Sequence, residues 1–260
     1  MILADRYDAF LFDLDGVLYR GAEPVAGAPE AVARLRSLGK RIAFVTNNSS
    51  RTPSAVAAAL HDVGIEATAD EVETSALVTA DLLAGRGVAE AFVVGEDGLL
   101  EALRAKGIRP VDRGADRVDA VVVGLDRHVD YAKLVLASLL VERGASLVGT
   151  NADASFPAPD GEWPGAGALL AAIETTTGVT AEVLGKPHPP LLRAALTRAG
   201  GGRPLLVGDR LDTDIAGAAG LGWDSLLVLT GISTREDLAT TSVAPTFVGD
   251  DLSVLFRAPG

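Results

Sequence analysis

The chain has 260 residues, 48% hydrophobic and 22% charged, with a formal charge of −12, no cysteine and three histidines, enough for a full buried core. Without cysteine there are no disulfides, thiolate nucleophiles or cysteine zinc sites, and His61, His128 and His188 lie too far apart for an HExxH motif, so any metal is held mainly by oxygen. The acidic balance argues against nucleic acid or an anionic membrane as partner, though not against a small anionic substrate, whose binding local charges decide.

No apolar run approaches the ~18 residues of a membrane span, and Asp5, Arg6 and Asp8 do not suit a secretory leader, so a cytoplasmic protein is expected. From the N-terminus, short β-rich apolar runs alternate with Ala/Leu-rich helical patterns, the signature of an α/β protein with mostly parallel strands. Strands are expected to end near Phe12, Val45, Val94, Val123, Val148, Leu184, Val207 and Val228, with a last one near Val248. Helices are expected over 29–37, 53–61, 99–106, 131–141, 167–175, 190–199 and 213–219. Thr52-Pro53 reads as an N-cap followed by proline at the first helical position, and Gly64 and Gly107 sit where helices should stop. The segment NADASFPAPDGEWPGAG, residues 151–167, has no periodicity and reads as a long loop, a functional or boundary feature.

Open α/β sheets bind ligands at the carboxyl ends of their strands. The first strand, AFLF, runs into Asp13 and Asp15, which a continuing strand would put on one side. A lone DxDG is more often a solvated turn, so the other strand ends must decide. FVTNNSSRTPS brings Thr46, Asn47 and Asn48 to a helix start, where hydroxyl, amide and backbone N–H groups suit a phosphate. VLGKPHPP delivers Lys186, with His188 two residues on. LLVGDRLDTDIAGA ends a buried strand in Asp209 and adds Asp212 and Asp214 on the next turn, where Asp212 reads well as a helix cap.

Asp13, Asp209 and Asp214 in one crevice would repel one another unless a cation sat among them, and with only oxygen ligands the expected ion is Mg²⁺. Lys186 and the loop from Thr46 to Asn48 then supply donors for phosphate oxygens. With no cysteine, and no serine beside a histidine base, the nucleophile on offer is a carboxylate. In-line attack by Asp13 on a phosphoryl group gives an aspartyl phosphate. Asp15, its pKa raised by neighbouring carboxylates and the incoming dianion, protonates the leaving alcohol and then takes a proton from the hydrolytic water. The expected function is Mg²⁺-dependent hydrolysis of small phosphorylated metabolites. Two alternatives stay open: a phosphotransferase or mutase using the same aspartyl phosphate, and a non-catalytic phosphometabolite-binding protein. Asn48, Asn151, Asp153 and His188 are candidate substrate contacts.

The order DLDGV, VTNN, GKP, GDRLDTD resembles the haloacid dehalogenase (HAD) superfamily, in particular its phosphatases with a large α/β cap between the second and third motifs. The likeness runs over essentially the whole chain, including VVVGLD, GTNAD and PGAGALLAAIE. It implies a Rossmann-like parallel-sheet core over roughly residues 1–76 and 182–260, with an inserted cap over roughly 77–181. The same resemblance makes Asp13 the nucleophile and Asp15 the general acid/base, whose main-chain carbonyl also binds Mg²⁺. It makes Thr46 and Asn47 phosphate ligands, has Lys186 steady nucleophile and phosphate, and assigns Asp209 as a direct metal ligand and Asp214 as a water-mediated one. The subgroup it resembles includes p-nitrophenyl, glycerol 3-phosphate and phosphoglycolate phosphatases, so those esters and sugar phosphates are the expected substrates. Members often pair through their caps, which adds a homodimer to the expectations.

Overall fold

The computed structural model describes residues 2–111, 113–158 and 160–258. After a 3-10 turn at Leu3–Arg6 come β1 (Ala9–Phe12), β2 (Tyr19–Arg20), β3 (Glu23–Pro24), α1 (Ala28–Ser37), β4 (Arg41–Thr46), α2 (Pro53–Asp62) and β5 (Val72–Thr74). It continues through α3 (Ser75–Gly85), β6 (Glu90–Val94), α4 (Asp97–Ala105), β7 (Arg109–Val111), β8 (Ala120–Val123) and α5 (Tyr131–Glu142). Next come β9 (Ser146–Gly149), β10 (Ser155–Ala158), β11 (Gly161–Pro164), α6 (Ala166–Thr177) and β12 (Glu182–Val183). The last strands and α-helices are α7 (Pro189–Arg198), β13 (Pro204–Gly208), α8 (Ala216–Leu221), β14 (Asp224–Val228) and β15 (Phe247–Gly249), followed by a 3-10 turn at Leu252–Phe256. Two compact units result: Met1–Thr46, Pro53–Glu73 and Lys186–Gly260 form the first, and Asn47–Thr52 with Thr74–Gly185 form the second.

The first unit is built on a six-stranded sheet in the order β15-β14-β13-β1-β4-β5, and β1 runs parallel to both β13 and β4. All four residues of AFLF are buried, because a central parallel strand is covered on both faces and reads as a continuous apolar run rather than an alternation. Phe12 lies opposite Val207 and Phe44, and β13 and β4 run on to Gly208 and Thr46, so neighbouring strands bring Asp13, Asp209 and Thr46 to one edge of the sheet. Below that edge Phe10 and Phe12 stack with centroids 6.3 Å apart, and Tyr7 meets Phe10 edge-on. Full burial of each such ring contributes roughly 2–3 kcal/mol, which makes the platform under the strand ends stiff. On one flank α1 buries Ala28, Ala31, Val32 and Leu35, the spacing of a single helix face.

The second unit has its own parallel sheet, β12-β9-β8-β6-β7, with a core of Phe92, Val94, Val121, Val123, Leu140, Leu147, Leu170 and Ile173. Here the structure departs from the pattern read in the sequence. Residues 151–167 are not a structureless loop: β10 and β11 pair antiparallel, with Phe156 opposite Trp163 and their rings edge-on at 6.1 Å. Proline in both strands and glycine at the start of β11 hid the alternation. Helix α3 was also unanticipated, because SALVTADLLAG is apolar nearly all round and carries no helical stripe; it buries Ser75, Ala76, Val78, Thr79, Ala80 and Leu83. Among the described residues no helix is long and apolar enough to cross a membrane.

Candidate active site

In the first unit, Asp13, Asp209 and Asp214 are buried and offer one carboxylate oxygen each within 4.8 Å of one another. Lys186 Nζ stands among them, donating to Asp13 Oδ1 at 2.5 Å and to Asp214 Oδ1 at 2.7 Å. Local sequence explains the placement. Lys186 is held just ahead of α7, whose first turn carries Pro189 and Pro190. Asp214 sits on a π-helical turn, Leu211–Ile215, before α8, where its own N–H and that of Ile215 both donate to the Arg210 carbonyl. Asp212, on the same turn, is exposed and paired with Arg210 rather than turned to the cluster. Thr46, the last residue of β4, is buried at the same sheet edge.

The expectation that Asp13 and Asp15 share a strand face needs correction. β1 ends at Phe12, so the two-residue period stops before Asp15; Asp13 is buried and Asp15 is exposed on the turn that Gly16 makes at φ 80°. That turn is held by the Gly16 N–H donating to Tyr19 O at 2.8 Å and by Thr230 Oγ1 donating to Gly16 O at 2.6 Å.

One ammonium faces three carboxylates, which leaves the buried cluster formally two charges short of neutrality. Burial holds the Asp13 carboxyl well above the usual carboxylate range; Lys186 opposes the shift, and Asp214 and Asp209 add to it. Burial and the charge of Asp214 push Asp209 up to about 6. Lys186 moves up: burial works against its charge, but Asp13 and Asp214 outweigh it. Among the described residues, Asp209 Oδ1 is buried and accepts no hydrogen bond. Three hard oxygen donors, an unanswered pair of negative charges and a buried carboxylate oxygen without a donor fit a divalent cation of the Mg²⁺ type.

Sequence reasoning missed the glycines and the loop that shape this cluster. A Cβ at Gly231 would lie 1.9 Å from Asp209 Oδ2, one at Gly16 2.6 Å from the same atom, and one at Gly208 2.2 Å from the Asp214 Cβ. Next to Gly231, the Ile232 N–H donates to Asp209 Oδ2 at 2.7 Å and the Ser233 N–H to Asp209 O at 3.1 Å, while Ser233 Oγ accepts the Leu211 N–H. The only sequence signal was the run VLTG after an apolar strand, which says that a turn follows but not what packs on it.

The remaining residues separate by unit. His188 precedes α7 in the first unit, exposed and without a side-chain capping bond. Asn47, Asn48, Asn151 and Asp153 belong to the second unit. Asn48 Oδ1 accepts the Ser50 N–H at 2.9 Å and Ser50 Oγ at 2.7 Å, which turns its loop. Asn151 Nδ2 donates to Asn47 O at 2.7 Å, and Asn47 Nδ2 stands 3.2 Å from both carboxylate oxygens of Asp153.

A parallel α/β core with an inserted α/β unit, and a buried strand-end cluster of carboxylates and one lysine, define a hydrolase of the haloacid dehalogenase type. Residues 10–109 match the haloacid dehalogenase-like hydrolase family and residues 183–255 a second HAD-hydrolase-like family, and the chain belongs to this superfamily. It is 42% identical over 259 residues to the D-glycerol 3-phosphate phosphatase of Mycobacterium tuberculosis, covering 98% of this chain and 72% of that one. It is 39% identical over 251 residues to the acid sugar phosphatase of Staphylococcus aureus, covering 95% and 96%. The crystal structure of the M. tuberculosis glycerol phosphate phosphatase in complex with magnesium superposes with a TM-score of 0.94 at 41% identity, over 99% of this chain and 79% of that one. The p-nitrophenyl phosphatase of Archaeoglobus fulgidus gives 0.89 at 33%, over 96% and 98%.

Proposed function

We propose that this protein is a Mg²⁺-dependent phosphatase of small phosphorylated metabolites, of the glycerol 3-phosphate, phosphoglycolate, p-nitrophenyl phosphate or sugar phosphate type. The observation that carries the reading is the buried triad of Asp13, Asp209 and Asp214 around Lys186, with Asp209 Oδ1 left without a donor among the described residues. Asp13, Asp209, Asp214 and the Asp15 main-chain carbonyl would hold the metal. When bound, Mg²⁺ supplies positive charge against the phosphoryl oxygens and the carboxylates. Thr46, Asn47 and Lys186 bind the phosphate oxygens, and Lys186 also fixes the Asp13 carboxylate through its 2.5 Å bond.

In the first step an Asp13 oxygen attacks phosphorus in line, the bond from phosphorus to the ester oxygen breaks, and Asp15 gives its proton to the departing alcohol. In the second step Asp15 takes a proton from water, the water oxygen attacks phosphorus, and the bond to Asp13 breaks to release inorganic phosphate and regenerate the carboxylate. The exposure of Asp15 suits this role, since it must reach a leaving group and then a water. The inserted unit is read as the cap that selects leaving groups. A cytoplasmic place of action belongs to the same reading.

The test is phosphate release with Mg²⁺ from p-nitrophenyl phosphate, glycerol 3-phosphate, phosphoglycolate and sugar phosphates, with Asp13→Asn as the blank. Release by the wild type alone is expected, and kcat/KM ranks the substrates. No release from any ester, or equal release by Asp13→Asn, would overturn the reading.

A further inference from the structure

Within the second unit, Asn47 is gripped by several groups at once. Its carbonyl oxygen accepts Ser75 Oγ at 2.6 Å and Asn151 Nδ2 at 2.7 Å, and its Nδ2 lies 3.2 Å from both Asp153 carboxylate oxygens. On another side a Cβ at Gly185 would come within 2.6 Å of Asn47 Oδ1, so a glycine is what lets the carboxamide lie there. Asn47, Ser75 and Asn151 are all buried, and buried polar groups that satisfy one another fix a single geometry.

Asp153 is itself held in place. Its N–H donates to Asn151 Oδ1 at 3.0 Å, and its carbonyl accepts the Gly167 N–H at 2.9 Å. A Cβ at Gly165 would stand 2.2 Å from that carbonyl oxygen, so the PGAG run that opens α6 forms the seat on which Asp153 rests. The loop that carries Asn47 is packed into the same unit further along: a Cβ at Gly124 would meet Ser49 Oγ at 2.4 Å, and one at Gly98 the Arg51 backbone at 2.5 Å.

A carboxylate beside a group that binds phosphate weakens anion binding by its charge alone. Its presence beside Asn47 therefore calls for an offsetting gain, and a charge-assisted hydrogen bond that immobilises the carboxamide provides one. Resting on the reading of Asn47 as a phosphate ligand, we propose that Asp153 is a positioning residue: it acts on catalysis through Asn47, preorganising the phosphate site for every substrate alike, and not by touching the leaving group.

The experiment compares wild type, Asp153→Ala, Asp153→Asn, Asn47→Ala and the double variant Asn47→Ala/Asp153→Ala. Each is assayed with p-nitrophenyl phosphate and glycerol 3-phosphate as substrates and inorganic phosphate as competitive inhibitor. Asp153→Ala is expected to raise KM for both esters and Ki for phosphate by one common factor, roughly tenfold, as for loss of a charge-assisted hydrogen bond. Asp153→Asn keeps an oxygen acceptor for Asn47 Nδ2 and recovers most of that loss, and in the Asn47→Ala background Asp153→Ala changes nothing further. Ser75→Ala, which removes the hydroxyl bond to the Asn47 carbonyl, is expected to give the same uniform loss and carries the test should Asp153→Ala not fold. A loss that differs between the esters while the phosphate Ki stays at the wild-type value would place Asp153 on the leaving group and overturn the proposal. A full Asp153→Ala effect surviving in the Asn47→Ala background would overturn it as well. An unchanged phosphate Ki in Asn47→Ala would overturn the underlying reading of Asn47 itself.

Discussion

Gly231→Ala tests how the carboxylate cluster is built without altering any charge in it. The new Cβ would lie 1.9 Å from Asp209 Oδ2, 2.3 Å from Cγ and 2.4 Å from Cβ, all under the 3.0 Å that real Cβ contacts respect. Gly231 is not among the glycines with positive φ, so alanine is not excluded by backbone strain and the collision alone acts. Relief requires the carboxylate or the loop to move by about 1 Å, since the contact lies on the steep repulsive side of the van der Waals well. That shift breaks the 2.7 Å bond from the Ile232 N–H to Asp209 Oδ2. A hydrogen bond to a charged group is worth about 1.5–3 kcal/mol, so Mg²⁺ should bind about 10- to 100-fold more weakly. Isothermal titration calorimetry with Mg²⁺ reads this directly. Gly220→Ala is the control, because a Cβ there has nothing within 4 Å, and its affinity should equal that of the wild type. A Gly231→Ala protein that folds and binds Mg²⁺ as tightly as the wild type would refute the argument that the glycine shapes the metal site.

Chelation with EDTA should abolish phosphate release and restoration of Mg²⁺ should recover it. Because the metal binds the folded cluster, saturation at 100 times Kd adds about 2.7 kcal/mol, or about 5–10 °C in the Tm of a chain of this size, which calorimetry would detect; identical melts with and without Mg²⁺ would count against the site. Tyr7, buried and donating to Asp224 Oδ2 at 2.8 Å, has its phenol pKa raised by burial and by Asp224. The folded state thus favours the neutral phenol: its contribution is complete below pH ~10, where tyrosine in the unfolded chain ionises, and declines as pH rises beyond that. Tyr7→Phe should lose about 1 kcal/mol near neutrality and flatten the fall of Tm between pH 9 and 11 expected for the wild type on this linkage; an equally steep fall in the variant would show that another group is responsible.

Much of this protein is legible in its sequence. Asp13, Thr46 and Asp209 lie at the ends of apolar runs that form strands of the first unit's parallel sheet, where ligands bind, so local sequence and topology together nominate them; the short strand before Lys186, β12, instead pairs with β9 in the second unit's sheet. The α/β alternation, and most helices to within a residue or two, follow from the same local periodicity. Where periodicity was weak, the reading failed. Helix α3 is buried on nearly every side, the β10–β11 pair is broken up by Pro and Gly, and the strand period does not survive past Phe12 to place Asp15 beside Asp13.

What the sequence determined by itself was therefore the chemistry present at each strand end, because that depends on neighbours along the chain. What only the tertiary structure decided was which distant backbone lies against each carboxylate. Gly231 and Gly16 touch Asp209, Gly208 touches Asp214, and the loop from Asn47 to Thr52 belongs with Thr74–Gly185 in the second unit. A glycine needed for close approach is indistinguishable in sequence from one that merely turns the chain. The contact that gives it meaning is formed only when segments far apart in sequence are packed together.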